Sequence, residues 1–337
     1  MERSLYLASL GGFHVGANPL VGAVIVHDER IIGEGYHKKY GGPHAEVNAL
    51  RSIYESDKNL LPNSEIYITL EPCNHHGKTP PCTEAIIKSG IRKVTLASID
   101  PNPKMSGNSI KMLEENGVQV RHGLLTNEEK ALNRKFIKNQ KTRLPYVVLK
   151  WAQSSDGYMG KRGKQVWISN EMSKYVVHRW REEFDGILIG TETAIIDNPK
   201  LTNRRGFGRQ PMRIVLDRKG RIPTTHHILS DEHQTTIFTC IDEYPSDKNK
   251  IVLEENDFTL QRILEEIFNL GVTSLMVEGG KLILQEFIKE RCWDEARILY
   301  SRKSLSSGIR APYIKGQKVQ KTPLLGDNLL IVNRLNN

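Results

Sequence analysis

His44-Ala45-Glu46, then Pro72-Cys73 beginning 26 residues after Glu46, then eight residues and Cys82, decide how the first half of this chain folds. One imidazole and two thiolates are three ligands for a tetrahedral zinc, with a fourth position left open for water. A carboxylate at Glu46, two residues past the first ligand, reaches such a water without ligating the metal. Zinc lowers the pKa of bound water towards ~7, giving a nucleophile at neutral pH. Glu46 is then the group that shuttles protons between water, ring and departing amine. The competing reading is a purely structural zinc. Structural sites close with a fourth protein ligand and have no use for the acid.

The H-x-E…P-C order is that of zinc-dependent base deaminases, which attack an amine-bearing ring carbon. Their second cysteine usually follows the first after two residues. Here the gap holds Asn74 to Pro81, so the ordinary cytidine or adenosine signature is not met. The string Thr69-Leu-Glu-Pro-Cys-Asn-His-His-Gly-Lys-Thr-Pro-Pro-Cys82 instead resembles the deaminase half of the bifunctional deaminase/reductase family of riboflavin biosynthesis. That resemblance implies a cytidine-deaminase-like domain, catalytic Glu46, and zinc on His44, Cys73 and Cys82. It further implies substrate contacts at Asn18, His75, Lys78, Asp100 and Asn102, with Lys78 suited to a 5′-phosphate. Asp100-Pro-Asn-Pro103 is also good turn chemistry in its own right. His14, His27, His37 and His76 have no partner pattern and are read as surface groups.

Periodicity agrees with an α/β domain. Residues 2–12 read as a helix ending at Gly11-Gly12. Val21–Val26 is a continuous apolar run suited to a buried strand, and residues 31–36 pair with it across His27-Asp-Glu-Arg30. Ala45–Tyr54 has helical spacing, placing His44 and Glu46 in the first turn. Residues 65–70 and 93–98 are strands, and Cys82 stands at the mouth of the helix that continues through Lys88. Alternation with parallel crossovers predicts a three-layer α/β/α sandwich. Thr126 with Glu129 has capping-box spacing. The charged run Lys138 to Arg143, followed by Leu144-Pro145, marks a boundary, giving domains 1–143 and 144–337.

The second half opens with Tyr146–Gly157, a strand running into a Ser-x-Asp-Gly turn, and resembles the family's reductase half, which implies a dihydrofolate-reductase-like α/β fold. Residues 171–183 are helical, with Ser169 or Asn170 as cap. Strands follow at 186–190, 212–217, 235–239, 275–277 and 296–300, and Thr259–Asn269 is an amphipathic helix. No G-x-G-x-x-G follows the first strand, so a Rossmann fold is not supported. Thr191-Glu-Thr-Ala-Ile-Ile-Asp-Asn-Pro-Lys-Leu-Thr-Asn-Arg204 is the second close match. The resemblance places cofactor contacts at Gln153, Trp167, Thr193, Asp197, Gly279 and Gly280. It places reductase-substrate contacts at Gln165, Arg181, Leu201, Arg204 and Glu278. Gln153 and Gln165 depart from the family pattern, and Lys150 and Asp156 are given a site-shaping role. Together the halves imply zinc-dependent deamination of 2,5-diamino-6-ribosylamino-4(3H)-pyrimidinone 5′-phosphate. NADPH-dependent reduction of the ribosyl side chain to ribityl follows.

The 337 residues suit about two domains, and 38% apolar with 26% charged content suits a water-soluble globular chain. No apolar run approaches ~18 residues, so no membrane span is expected, and the N-terminus lacks a secretory pattern. A cytoplasmic location follows. Cys240 and Cys292 are read as buried small hydrophobes rather than a disulfide. A net charge of +9 suits a nucleic-acid surface, a small phosphorylated substrate or simply a solvated surface, and the lack of basic clusters interleaved with aromatics argues against a nucleic-acid groove. Homo-oligomerisation is implied by the resemblance only. Two alternatives stay on the table: a nucleoside or tRNA-base deaminase with an accessory domain, and a zinc-stabilised binding module without catalysis. The eight-residue cysteine gap opposes the first, and Glu46 opposes the second.

Overall fold

The structure is a computed structural model that describes residues 1–75, 80–102, 106–204 and 208–335. It divides into two compact units, Met1–Thr142 and Arg143–Asn337.

The first unit is built on five strands: β1 (Gly22–His27), β2 (Arg30–Tyr36), β3 (Glu65–Leu70), β4 (Lys93–Ser98) and β5 (Gln119–His122). Their order is β2-β1-β3-β4-β5. β1 is antiparallel to both neighbours, whereas β3, β4 and β5 run parallel. Six helices accompany them: α1 (Glu2–Ser9), α2 (Ala45–Arg51), α3 (Cys82–Ser89), α4 (Asn108–Glu115), α5 (Thr126–Leu132) and α6 (Arg134–Thr142).

Two glycines show why the sheet is covered on both faces. A Cβ on Gly22 would lie 2.0 Å from Ser4 O of α1, and one on Gly35 would lie 2.3 Å from Ala49 N of α2. Gly22 pairs with Tyr36, so Gly22 and Gly35 point to opposite faces. Helix α1 therefore packs on one face and α2 on the other, which makes three layers. Ala23, Ile25, Ile66, Ile68, Val94 and Leu96 from the sheet bury against Ala45, Ala49, Ile86 and Leu113 of the helices.

Several local expectations need correction. Helix α1 stops at Ser9, and residues 12–15 form a 3₁₀ turn. α2 stops at Arg51, three residues short of Tyr54. The capping box does not form, because Leu125 is the cap residue and Thr126 is already helical. The Thr126 hydroxyl donates to Ala97 O, and buried Glu129 accepts from Asn133 Nδ2 at 2.8 Å. A tertiary partner takes the Thr126 hydroxyl, and Glu129 turns to Asn133 four residues on. Cys240 and Cys292 are half-buried rather than buried, and neither is in a disulfide.

The second unit holds a nine-stranded sheet: β6 (Tyr146–Gln153), β8 (Gly186–Gly190), β9 (Met212–Leu216), β10 (Thr235–Thr239), β11 (Asn249–Val252), β12 (Ser274–Val277), β13 (Glu295–Tyr300), β15 (Gln317–Leu324) and β16 (Asp327–Asn333). A small separate pair joins β7 (Tyr158–Gly160) to β14 (Ile309–Arg310). The order is β11-β10-β9-β8-β12-β6-β13-β16-β15, parallel from β11 to β13 and then antiparallel. The helices are α7 (Glu171–Glu183), α8 (Thr191–Asp197), α9 (His227–Ser230), α10 (Leu260–Asn269) and α11 (Lys281–Lys289). Alternation along β6 feeds both faces: Val147, Leu149 and Trp151 enter one core, Tyr146 and Val148 the other. Asn170 caps α7, its side chain accepting from Ser173 N at 2.8 Å. No helix among the described residues is long and apolar enough to cross a membrane.

Gly35→Ala is expected to destabilise the first unit by about 2–3 kcal/mol, since the added methyl meets helix backbone rather than a movable side chain. Because α2 carries Glu46 and begins at His44, zinc bound per chain should fall with it. Unfolding transitions and metal content together check this; an unchanged transition would show that α2 does not rest on the β2 backbone.

Candidate active sites

Three ligand atoms converge where the N-termini of α2 and α3 meet the loop after β3. His44 is the cap residue of α2, Cys82 the first residue of α3, and Cys73 lies three residues beyond the end of β3. His44 Nδ1 lies 3.4 Å from Cys73 Sγ and 3.3 Å from Cys82 Sγ, and the three atoms fall within 4.8 Å of one another. Those separations match the edges of a tetrahedron around an ion with bonds of about 2.0–2.3 Å. Cys82 and His44 hold the Cys73 thiol down to about 4, while Cys82, which donates to it, is pushed up. The charge this favours lies on the Cys73 sulfur, where it would face a zinc ion.

Glu46 is buried in the first turn of α2, and burial pushes its carboxyl up to about 6. Its Oε2 has no hydrogen-bond partner among the described residues. An orphaned acceptor beside three converging soft ligands is the mark of a site built for zinc and a water. The residues fit the group.

His44, Glu46 and Cys73 open onto a cavity of about 330 Å³ that also takes in Asn18, His37, His75, Asp100 and Phe136. Asn18, His75 and Asp100 thus share one chamber with the ligands. His75 is exposed at its rim. Asp100 Oδ1 accepts from Asn102 N at 2.8 Å, which closes the turn. Burial raises the Asp100 pKa, opposed by that N–H and by His75. Asn102 is half-buried beside Asp100 but does not line the cavity. Lys78 and His76 lie outside the described residues.

Of the four histidines read as surface groups, His76 lies outside the described residues, His14 is exposed and His27 half-buried. His37 overturns the expectation: it is buried, with its ring edge-on to His44 at 5.5 Å. Burial lowers its pKa and favours the neutral ring. Asn18 Nδ2 donates to its Nε2 at 3.0 Å, so Nδ1–H donates to Pro43 O at 3.1 Å. That chain turns the Asn18 amide so that Oδ1 remains for a ligand. Glu71 was also missed. It is buried and accepts from the backbone N–H groups of Asp100, Gly107 and Ser109, holding the loop that carries Asp100. Its signal was an acid directly before Pro72-Cys73 at the end of an apolar strand.

In the second unit, Glu278 follows the carboxyl end of β12. It meets Arg181 at 3.0 Å (Oε1 to Nε) and 3.2 Å (Oε2 to a terminal nitrogen), and Lys150 Nζ at 3.4 Å. Burial opposes its charge, but Arg181 and Lys150 outweigh that and hold the carboxyl down to about 2. Arg181 also donates to Thr202 O at 3.0 Å, so most of its fork is engaged inside the protein. Thr193 Oγ1 accepts from Gly280 N at 2.9 Å, joining α8 to the glycine pair. Asp197 closes α8; burial raises its pKa, with Lys150 opposing.

A nicotinamide dinucleotide fits this edge. A Cβ on Gly279 would stand 1.8 Å from Ile283 Cγ2, so only glycine allows the chain to enter α11 here. The N-terminus of α11 has no side-chain cap and leaves its first amides for an anion. The remaining candidates are not drawn into this cluster. Gln165 and Trp167 are exposed, and the Trp167 ring lies 4.4 Å from Lys174 Nζ. Gln153 Oε1 accepts from Trp151 Nε1 at 2.9 Å. Leu201 is buried at a left-handed backbone position, φ 52°, and exposed Arg204 donates its backbone N–H to His178 Nδ1 at 3.4 Å. Asp156 holds a loop, accepting from Ser154, Ser304 and the backbone of Ser306.

Comparison with known proteins agrees with both halves. Residues 1–98 match the cytidine and deoxycytidylate deaminase zinc-binding region, and residues 145–329 match the RibD C-terminal domain. The riboflavin biosynthesis protein RibD of Aquifex aeolicus is 39% identical over 316 residues, covering 92% of this chain and 88% of that protein. Its Bacillus amyloliquefaciens counterpart is 37% identical over 331 residues, covering 95% and 88%. Among solved structures, a Thermotoga maritima diaminohydroxyphosphoribosylaminopyrimidine deaminase/5-amino-6-(5-phosphoribosylamino)uracil reductase superposes with TM-score 0.88 at 35% identity, covering 99% of this chain and 97% of that one. Acinetobacter baumannii RibD gives 0.88 at 30% identity, covering 99% and 98%. With identity at that level along nearly the whole of both units, the chain belongs to the RibD family of bifunctional riboflavin-biosynthesis deaminase/reductases.

Proposed function

We propose that residues 1–143 deaminate the phosphorylated diaminopyrimidine and residues 144–337 reduce its ribosyl side chain, with the following residues in charge. His44, Cys73 and Cys82 hold zinc, which when bound activates water towards the amine-bearing ring carbon. Glu46 takes the proton from that water at Oε2, the atom without a partner, and delivers it to the ring and the leaving ammonia. That orphaned, buried oxygen beside the ligand cluster is the observation that carries the reading. Asn18 presents Oδ1 to a donor on the substrate, oriented by His37. His75, Lys78, Asp100 and Asn102 surround the sugar phosphate.

In the reductase half, bound NADPH supplies the hydride. Glu278, kept ionised by Arg181 and Lys150, accepts a hydroxyl of the substrate chain. The phosphate contact of Arg181 would use the N–H bonds that Glu278 and Thr202 leave over, and Arg204 adds a second guanidinium. Thr193, Asp197, Gly279 and Gly280 line the cofactor edge, with Gln153 and Trp167 to its side. Gln165 and Leu201 complete the substrate loop contacts.

Glu46→Gln is expected to lower ammonia release about 10²–10⁴-fold at unchanged zinc content. Equal rates at equal zinc would end the catalytic reading of this acid. Stripping zinc with a chelator should abolish ammonia release and restore it on readdition, while reduction of separately supplied deaminated pyrimidine continues. Retention of deamination by metal-free protein is the contrary result. Glu278→Gln should cut the reductase rate about 10–100-fold with NADP⁺ affinity kept, measured by single-turnover kinetics and cofactor titration. A rate matching wild type would remove Glu278 from the site.

A further inference from the structure

Just ahead of β1, Asn18, Pro19 and Val21 line the deaminase cavity, with Leu20 between them. This stretch precedes the strand, so its backbone groups need partners from elsewhere. Asn18 N donates to Val15 O at 3.2 Å, and Val21 O accepts from His37 N at 2.9 Å. Leu20 finds its partner in a side chain 113 residues away. Its N–H donates to Asn133 Oδ1 at 2.8 Å, and its carbonyl accepts from Asn133 Nδ2 at 2.9 Å. One carboxamide thus pairs with both polar groups of one residue, as a neighbouring strand would.

Asn133 is itself fixed. It is buried at the break between α5 and α6, with φ −96° and ψ 18°. Its backbone N–H donates to Glu129 O at 2.9 Å, and its carbonyl accepts from Ile137 N at 2.9 Å. Its Nδ2 also donates to Glu129 Oε1 at 2.8 Å. An asparagine amide has two N–H bonds, and here Leu20 and Glu129 take both. Glu129 is fully buried and shares α5 with Thr126, whose hydroxyl donates to Ala97 O of β4 at 2.7 Å. Helix α5 is therefore tied to the sheet at its start and to Leu20 just past its end. Phe136, on α6, lines the same cavity.

Asn18 and Leu20 are separated by one residue, a proline whose ring fixes φ, so holding Leu20 also restricts Asn18. His37 turns the Asn18 amide, and the Leu20 clamp sets where the Asn18 backbone stands. We propose that Asn133, held by Glu129, is a positioning residue of the deaminase, fixing the backbone of residues 18–21 so that the Asn18 amide meets the pyrimidine. Without the carboxamide, the Leu20 N–H and C=O lose their partner, and the segment must shift to recover those bonds from water. Small displacements of a positioning group are costly to a reaction that needs its substrate held in one geometry. The proposal rests on the reading of Asn18 as a substrate contact.

Steady-state ammonia release by the zinc-loaded full chain, titrated with the phosphorylated diaminopyrimidine, tests it. Asn133→Ala should raise KM about tenfold with kcat within about threefold. Zinc per chain, and the rate of reduction of separately supplied deaminated pyrimidine, should match wild type. In an Asn18→Ala background the same change should raise KM by less than about twofold, because the group it positions is gone. Glu129→Ala should raise KM at least about threefold, and Glu129→Gln, whose Oε1 still accepts, should return it to the wild-type value. A wild-type KM in Asn133→Ala overturns the proposal. So does a full tenfold rise on top of Asn18→Ala, which would mark general support of the fold rather than placement of Asn18. If Asn133→Ala fails to hold zinc, the Glu129 pair decides, and equal KM values for its Ala and Gln variants are the contrary result. A wild-type KM in Asn18→Ala alone would instead sink the reading of Asn18 on which the proposal stands.

Discussion

Gathering one imidazole and two sulfurs within 4.8 Å is the constraint on which the first unit depends. Three such groups do not collect inside a protein without something to hold their charge, because each loses its hydration on burial. The fold meets that demand with two helix starts. α2 begins at the imidazole and α3 at the second thiol, so the amide ends of both helices face the sulfurs and favour negative charge. Both helices in turn need the sheet close by. The glycines of β2 allow α2 to lie backbone to backbone on the strand, which a methyl group would prevent.

The second unit solves a different electrostatic problem by the same means. Glu278 is a carboxylate held charged inside the protein by two cations from different elements, Lys150 of β6 and Arg181 of α7. A buried acid with a single partner would be costly, and two partners with matched geometry offset the desolvation. The carboxyl ends of β6 and β12 and the inner face of α7 are thereby locked to one point. The parallel sheet then lays the glycine pair and the start of α8 along one edge.

Much of this was legible in the chain. The ligand order, the acid two residues after the histidine, the long strand runs and the helix 171–183 with its Asn170 cap all carry local signals. Where the reading failed, another partner had taken over a local motif. Thr126 and Glu129 have capping-box spacing, yet their side chains turn to Ala97 and Asn133. The β15–β16 hairpin went unread because its outer strand is polar and exposed, without the alternation that marks a half-buried strand.

His37 draws the line between the two sources of information. Sequence alone picked out His44, Cys73 and Cys82, the three groups the fold brings together, because a metal accepts few ligand types. Nothing along the chain could say that a histidine seven residues before the ligand faces inward. Its burial, its neutral ring and its hold on Asn18 arise only when β2, the loop to α2 and the segment before β1 close together. The same holds for the partners that Glu71 and Lys150 meet. Ligand identity is written in residue type, but the orientation of a side chain depends on neighbours that only the packed sheet brings near.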